Sequence, residues 1–136
     1  MVIAVIDGMG GGLGVQLVIQ LKAQLMSKVE IIALGTNALA TNSMVKAGAH
    51  RGATGENAIA VSVRRSDIVV GPIGIVIPNA LMGEITPRIA AAIADTDARK
   101  ILIPVNQNHF EIAGLDSKPM AFWIKEAVSR IAALCE

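Results

Sequence analysis

The sequence V-I-A-V-I-D at residues 2–7, followed by G-M-G-G-G-L-G at residues 8–14, decides the fold. Five apolar residues before an aspartate are typical of a parallel strand that is buried on both faces. Five of the next seven residues are glycines, and a helical pattern begins at about Leu13. Strand, glycine loop and helix in this order predict the phosphate-binding turn of a Rossmann-type unit. Glycines let the backbone approach a pyrophosphate, and the helix N-terminus attracts the anion.

The spacing of these glycines distinguishes between two kinds of nucleotide loop. The pattern G-x-G-x-x-G does not fit, because Leu13 or Val15 stands where its last glycine is required. The pattern G-x-x-x-G-x-G does fit, and over about residues 2–20 it resembles the nucleotide loop of the short-chain dehydrogenase/reductase family. That resemblance implies NAD or NADP as the cofactor. The alternative is a tight strand-to-helix turn that binds nothing. The predicted cofactor-binding residues of the loop are Gly8, Met9, Gly10, Gly11, Gly12, Leu13 and Gly14.

Length and composition indicate one domain over residues 1–136, large enough to bury a substantial core. Apolar residues make up 53% of the chain and charged residues 17%. The mean hydropathy of +0.58 exceeds that of an average soluble domain. A parallel sheet covered on both faces raises the apolar content, and so does an interface between identical subunits. We expect both, and therefore predict a homo-oligomer.

Charge and cysteine content exclude several classes of protein. Twelve basic and 11 acidic residues give a net charge of +1, without a basic stripe or an aromatic platform, so no nucleic acid partner is expected. The single Cys135 excludes an internal disulfide framework and a multi-cysteine metal site, and no metal site is predicted. No apolar run has the length of a membrane span, and no basic leader segment precedes the first strand. We expect a soluble cytoplasmic protein that does not bind a membrane.

The second strand is predicted over Val29–Leu34, and its end tests the dinucleotide hypothesis. An aspartate or glutamate here normally binds the ribose 2′-hydroxyl, and an arginine accommodates a 2′-phosphate. This chain has neither. Thr36 and Asn37 are able to hydrogen-bond a ribose, but both are also common helix N-cap residues, and we favour the cap interpretation. A helix over Asn37–Ala47 then ends at Gly48.

The middle of the chain is predicted as a loop over Ala49–Gly55, an ambiguous segment over Glu56–Arg65 and a third strand over Asp67–Gly71. Ile59, Val61 and Val63 alternate as in a strand, but parallel strands need a crossover here, so we favour a helix over Glu56–Arg65. An apolar loop follows over Pro72–Pro78. Such a loop at the carboxyl end of a parallel strand either forms a wall of a nucleotide site or contacts another subunit, and we leave both open. The residues assigned to the nucleotide wall are Gly71, Pro72, Ile73 and Gly74.

The last third of the chain supplies the predicted catalytic candidates. Thr86 caps a helix whose apolar stripe is Ile85, Ile89 and Ile93, and a surface turn covers Asp95–Lys100. A fourth strand over Ile101–Val105 lies beside the first in the Rossmann order 3-2-1-4. That order places Asn106, Asn108 and His109 near Asp7, which makes Asn106, His109 and Asp7 candidates for catalysis.

The C-terminal end is predicted as a short fifth strand over Phe110–Leu115 and a final helix capped by Asp116-Ser117. Its inward face is Met120, Ile124, Val128 and Ile131. The alternation of strands and helices along the chain predicts a three-layer α/β Rossmann-like sandwich with a mainly parallel five-stranded sheet.

Asp7 is open to two interpretations, and the chain lacks several kinds of catalytic apparatus. The carboxylate either ligates Mg²⁺ beside a phosphate or braces the loop by accepting backbone N–H bonds, and we favour bracing. Because the chain has no tyrosine, the Tyr-x-x-x-Lys pair of short-chain dehydrogenases is absent. The sequence also has no G-x-x-x-x-G-K-[ST], no G-x-S-x-G and no paired-histidine metal site.

Three segments of the chain together resemble a family of small bacterial proteins known as a domain of unknown function. They are V-I-D-G-x-G-G-G-x-G at the start, R-G-A-T-G-E-N-A-I at residues 51–59 and D-I-V-V-G-P-I-G-I-V at residues 67–76. The resemblance covers most of the chain and implies no activity, but it indicates that Arg51–Asn57 is more than a spacer. The sequence thus predicts a Rossmann-like protein that binds a nucleotide or dinucleotide through its phosphate. The alternative is a non-catalytic metabolite sensor or protein-interaction subunit with a structural glycine turn.

Overall fold

The computed structural model describes residues 1–105 and 110–136 and contains a five-stranded sheet. Its strand order is β3-β2-β1-β4-β5, and every neighbouring pair is parallel. Two 3₁₀ turns cover Met26–Lys28 and Ile73–Val76. None of the helices in the described ranges is long and apolar enough to cross a bilayer. In chain order the elements are β1 (Val2–Asp7), α1 (Gly12–Leu25), β2 (Glu30–Gly35), α2 (Ala38–Lys46), β3 (Arg51–Thr54), α3 (Glu56–Val63), β4 (Ile68–Pro72), α4 (Pro87–Asp95), β5 (Arg99–Ile103) and α5 (Met120–Leu134).

The sheet is covered on both faces, which confirms the three-layer α/β prediction. Successive side chains of β1 point to opposite faces. Ile3 and Val5 pack in the core cluster that includes residues of α1, α2 and α5. Ala4 and Ile6 pack in the cluster that includes residues of α3 and α4. All four side chains are fully buried, because β1 is central and has a strand on either side.

The order of the strands corrects the predicted neighbours of β1. The prediction placed the strand after residue 100 beside β1, but β4 takes that position, with Val5 opposite Val70. β5 pairs only with β4 and forms one edge of the sheet. The other edge is β3, in the segment Ala49–Gly55 that was predicted as a loop. Its residues are largely exposed, so the alternating apolar pattern that marks a half-buried strand is absent.

The C-terminal predictions also need correction. The segment Phe110–Leu115 is not a strand: Phe110, Ile112 and Leu115 are exposed, and a turn passes through Gly114 with φ +83°. α5 begins after Pro119 without a side-chain cap, so Asp116-Ser117 is not the cap. Ile124, Val128 and Ile131 face inward as predicted, but Met120 is 44% exposed, because it is the first residue of the helix.

Other expectations at element ends are confirmed. Asn37 caps α2 by accepting a hydrogen bond from the Ala40 N–H, as the cap interpretation required. Thr86 caps α4 in the same way through the Ile89 N–H, and Pro87 is the first helical residue. The ambiguous segment after Gly55 is helical, as α3. β5 begins at Arg99, so Arg99 and Lys100 belong to the strand and not to the predicted surface turn.

Candidate functional site

The candidate site lies where the carboxyl ends of β1, β2 and β4 meet, and its frame is the glycine loop Gly8–Gly14. The loop turns sharply at Gly11, whose φ of +76° is in the left-handed region that favours glycine. The Gly11 N–H closes the turn by donating to the Gly8 carbonyl oxygen at 2.9 Å. α1 begins directly afterwards, so the positive end of its dipole lies at the loop.

Asp7 braces this loop from the end of β1. One carboxylate oxygen accepts from the Gly8 N–H and the other from the Gly14 N–H, each at 2.8 Å. The residue is only 6% exposed, and this burial raises the pKa of the Asp7 carboxyl. The N–H groups of Gly14, Gly8 and Leu13 act in the opposite direction, whereas the charge of Glu84 adds to the increase. The two bonds match the bracing geometry and hold both ends of the loop.

The glycines of the loop fall into two groups according to the space around them. A methyl group on Gly14 would collide with the side chain of Met44, so its glycine lets α1 approach the neighbouring helix. One on Gly8 would lie 2.6 Å from the Thr36 Oγ1. Gly10 and Gly12 are exposed and have open space where a side chain would stand.

The backbone N–H groups of the loop also fall into two groups, those that donate a hydrogen bond within the chain and those that do not. Contacts within the chain use the N–H groups of Gly8, Met9, Gly11 and Gly14. Among the described residues, none of the hydrogen bonds of the loop uses the N–H of Gly10 or Gly12. These two positions therefore combine open space with unused donors at the N-terminus of a helix.

Glu84 joins the site from the segment between β4 and α4. Its Oε1 accepts hydrogen bonds from the Met9 N–H at 2.8 Å, the Thr36 Oγ1 at 2.5 Å and the Asn37 Nδ2 at 3.0 Å. Burial, the largest single influence, acts to raise the pKa of Glu84, but the bonds from Thr36, Met9 and Asn37 together outweigh it and lower the pKa. The ionised carboxylate thus ties the glycine loop to the end of β2.

Sequence reasoning missed Glu84, and no spacing rule would have found it. Glu84 lies 48 positions after Thr36 along the chain, at the end of a segment without helix or strand. That segment, residues 77–84, contains three non-glycine residues with positive φ, Asn79, Leu81 and Met82. Left-handed backbone at leucine and methionine is costly and is not predicted from composition.

The predicted wall Gly71–Gly74 lies on the other side of β1 and is covered by the chain itself. A methyl group on Gly71 would overlap the carbonyl oxygen of Ile6. Pro72 and Gly74 are buried, and Ile73 is half-buried. Leu81 extends over this side, with one terminal carbon near the Cβ position of Gly74 and the other near that of Gly8. The structure therefore brings Gly8–Gly14, Thr36 and Asn37 together, and it separates Gly71–Gly74 from open space.

Two of the three catalytic candidates, Asn106 and His109, are not among the described residues. Asn108 falls outside the described residues as well. All three follow β5, which is separated from β1 by β4, so the predicted adjacency of the fourth strand to Asp7 is wrong. Asp7 is the one catalytic candidate in the described ranges, and its carboxylate is engaged by the loop.

Comparison with known proteins gives a family and a fold neighbour. A crystal structure of a dodecameric FMN-dependent UbiX-like decarboxylase from Escherichia coli O157:H7 is similar to the chain, with a TM-score of 0.48 and 20% sequence identity. The match covers 96% of this chain and 75% of the decarboxylase chain. No curated protein sequence matches. A family model matches residues 2–136. This protein, a Rossmann-like α/β domain, therefore belongs to the family described as Domain of unknown function (DUF3842).

Proposed function

We propose that this protein binds a phosphate-bearing nucleotide at the glycine loop, with a phosphate above Gly10 and Gly12. One observation carries the proposal. These two glycines have open space around them and unused N–H donors, so contacts within the chain do not explain why they lack side chains. A ligand that approaches the backbone closely would explain both features, as in other strand-to-helix phosphate loops.

The charges around the loop are compatible with an anionic ligand. The dipole of α1 and the free N–H groups supply the attraction. The negative charge of Asp7 is already stabilised by the N–H groups of Gly8 and Gly14, and the side chain is buried beneath the loop surface. Asp7 is therefore proposed as a bracing residue and not as a ligand of Mg²⁺ or a catalytic group.

NAD and NADP are the specific nucleotides that the resemblance to short-chain dehydrogenases favours, and we retain them as probes. No reaction is assigned, because the chain has no tyrosine for the hydride-transfer chemistry of that family. The proposed contact is restricted to Gly8–Gly14, Thr36 and Asn37. Gly71–Gly74 is left out, since the chain's own side chains cover it.

A thermal-shift screen of the purified protein tests the proposal. The probes are NAD, NADP, FAD, FMN, ATP, GTP, S-adenosylmethionine and coenzyme A. A nucleotide that binds only the folded state raises the melting temperature by mass action. At least one of these probes should raise the melting temperature of the wild type. Gly12→Val should abolish this shift, because the added side chain occupies the space above the loop.

The matched control is Ala121→Val, which adds the same β-branched side chain to the exposed first turn of α5. This variant should keep the full ligand-induced shift. If no nucleotide stabilises the well-folded wild-type protein, or if Gly12→Val binds as well as Ala121→Val, the glycine loop is not a phosphate site.

A second candidate function is favoured by the bonds of the loop to Asp7 and Glu84. Because these two carboxylates already engage the Gly8, Met9 and Gly14 N–H groups, the turn is stabilised without a ligand. A structural turn in a non-catalytic interaction subunit would need no more than this. A negative screen with folded protein would select this function.

We also propose that the protein is a homo-oligomer, with its subunit contact at the β5 edge. A cleft of about 330 Å³ between β5, α5 and the preceding segment is lined mainly by apolar side chains such as Ile101, Ile112 and Trp123. Lys100, Glu126 and Arg130 complete its lining. Leu115 also lines the cleft and is exposed, as is Phe122, whose ring contacts that of Trp123 edge-on. Exposed apolar patches are typical of protein interfaces. Sedimentation equilibrium should give a mass of at least twice 14.1 kDa. A monomer at micromolar concentration would contradict the proposal.

A further inference from the structure

We infer that Glu84 binds the ribose of the nucleotide and selects a ligand with an unmodified 2′-hydroxyl. The inference rests on the proposed function and adds a specificity-determining residue to it. In Rossmann-type sites an acidic side chain at the end of the second strand accepts a hydrogen bond from the ribose. Here β2 ends in Gly35-Thr36-Asn37, which contains no acid. The structure supplies a carboxylate at this position from elsewhere in the chain.

The position of the carboxylate is fixed by its contacts. Its Oε1 is bonded to Thr36 and Asn37, the two residues that directly follow β2, and to the Met9 N–H beside the first glycine. These three contacts place Glu84 between the end of β2 and the glycine loop. That is the part of a Rossmann site where the ribose next to the phosphates lies.

The second carboxylate oxygen is available to a ligand. In the described part of the chain, the hydrogen bonds of the Glu84 carboxylate all go to Oε1 and none to Oε2. An ionised carboxylate has about four acceptor sites, so Oε2 has capacity for a ribose hydroxyl donor. The lowered pKa of Glu84 supports this, because the group is in its acceptor-only form at neutral pH.

The same contacts disfavour a 2′-phosphate. Sites that accommodate this group use an arginine near the ribose. The described partners of the Glu84 carboxylate are a backbone N–H, a hydroxyl and an amide, and none of them carries a charge. A 2′-phosphate would therefore meet a carboxylate without a compensating cation.

Glu84 and a ligand phosphate have separate donors. The carboxylate takes the Met9 N–H, whereas the proposed phosphate takes those of Gly10 and Gly12, which the contacts within the chain leave unused. A bound nucleotide can thus contact the loop through its phosphate and Glu84 through its ribose at the same time. This arrangement differs from one in which Glu84 occupies the phosphate position and excludes the ligand.

The test is Glu84→Gln, measured by calorimetric titration with NAD and NADP, which differ by one 2′-phosphate. Glutamine retains one carbonyl oxygen for the Met9, Thr36 and Asn37 donors but replaces Oε2 with an NH₂ group. Wild type should bind NAD at least about tenfold more tightly than NADP. The variant should lose about tenfold in NAD affinity, the effect of one charge-assisted hydrogen bond. Its NADP affinity should stay the same or increase, because an NH₂ group donates to a phosphate.

The matched control is Glu111→Gln, which removes the same charge from an exposed position. This control variant should keep the wild-type preference for NAD over NADP. An unchanged ratio of NAD to NADP affinity in Glu84→Gln would overturn the ribose role while leaving nucleotide binding intact. Tighter binding of both probes by the variant would also overturn it, and would show that Glu84 competes with the phosphate. If neither protein binds NAD or NADP while another nucleotide of the thermal-shift screen stabilises the wild type, the inference fails and the proposed function stands. If no nucleotide of that screen binds, both fail.

Discussion

The two sides of the carboxyl end of β1 carry similar sequences but have opposite surroundings. On the side of β2, the loop Gly8–Gly14 presents Gly10 and Gly12 to open space. On the side of β4, Gly71–Gly74 is also rich in glycine and apolar residues, yet a methyl group on Gly71 would overlap the Ile6 carbonyl oxygen, and one on Gly74 would contact the side chains of Ala80 and Leu81. On the first side, Gly10 and Gly12 have open space around them, whereas Gly8 and Gly14 pack against the chain. Glycine on the second leaves room for the chain.

The difference arises from the segments that follow the two loops. After Gly11 the chain enters α1 directly, and among the described residues none lies within 4 Å of the Cβ positions of Gly10 and Gly12. After β4 it forms the 3₁₀ turn Ile73–Val76 and then residues 77–84, whose left-handed backbone carries Leu81 over the end of the sheet. A glycine-rich strand end is therefore not by itself a ligand site. The free space at each glycine distinguishes the two functions.

The largest effect that tests this comparison is expected for Gly71→Ala. The new methyl group overlaps a backbone oxygen of the central strand, which cannot rotate away, so the sheet has to shift. We expect the free energy of unfolding to fall by about 3 kcal/mol, the upper range for overpacking. Urea denaturation followed by circular dichroism measures it.

Gly12→Ala is the matched variant on the open side. It adds the same methyl group at the first residue of α1, where nothing lies within 4 Å. The free energy of unfolding should stay the same or rise by up to about 1 kcal/mol, because alanine is the better helix former. Equal losses in the two variants would show that the two sides do not differ in packing.

Much of the fold was predictable, because the alternation of apolar strands and amphipathic helices is a local signal. β1 and β2 are nearly continuous apolar runs, and the Asn37 and Thr86 caps have sequence signatures. β3 was not predictable, because an exposed edge strand is held by backbone bonds to β2 and its side chains carry little pattern. The order of β4 and β5 is a tertiary property that no single segment contains.

The candidate site was predictable only where the chain is contiguous. The loop Gly8–Gly14 and the bracing position of Asp7 follow from one stretch of sequence. Glu84 reaches the site through a segment whose path depends on positive φ at Leu81 and Met82, residues that rarely adopt this conformation. The absence of an acid after β2 was visible in the sequence, but it did not indicate that the Glu84 carboxylate would lie against Thr36 and Asn37.

The bracing of the loop by Asp7 is tested without a ligand, and its loss should lower the free energy of unfolding by less than Gly71→Ala does. Asp7→Asn leaves one acceptor for two N–H donors and turns an NH₂ group toward one of them. The free energy of unfolding, measured by urea denaturation without ligand, should fall by about 2 kcal/mol, as expected for an unsatisfied buried donor. Asp97→Asn, on an exposed turn, removes the same charge and should change it by less than about 0.5 kcal/mol.

The pH dependence of this loss has a defined sign. The pKa of Asp7 in the folded protein lies above its ordinary value of 3.8, so between these two values the folded state binds more protons than the unfolded state. The contribution of Asp7 is therefore complete below 3.8 and declines as the pH rises through the raised pKa. Because asparagine does not titrate, the free energy of unfolding of the wild type should exceed that of Asp7→Asn by more at about pH 4 than at about pH 7.

A stability advantage of the wild type that grows toward neutral pH would mean that the two N–H bonds outweigh burial and that the ionised carboxylate is the preferred state. A difference that is absent at both pH values would mean that the glycine loop keeps its shape without Asp7. The loop would then be held to the end of β2 by Glu84 and by the hydrogen bond from the Asn37 Nδ2 to the Met9 carbonyl oxygen.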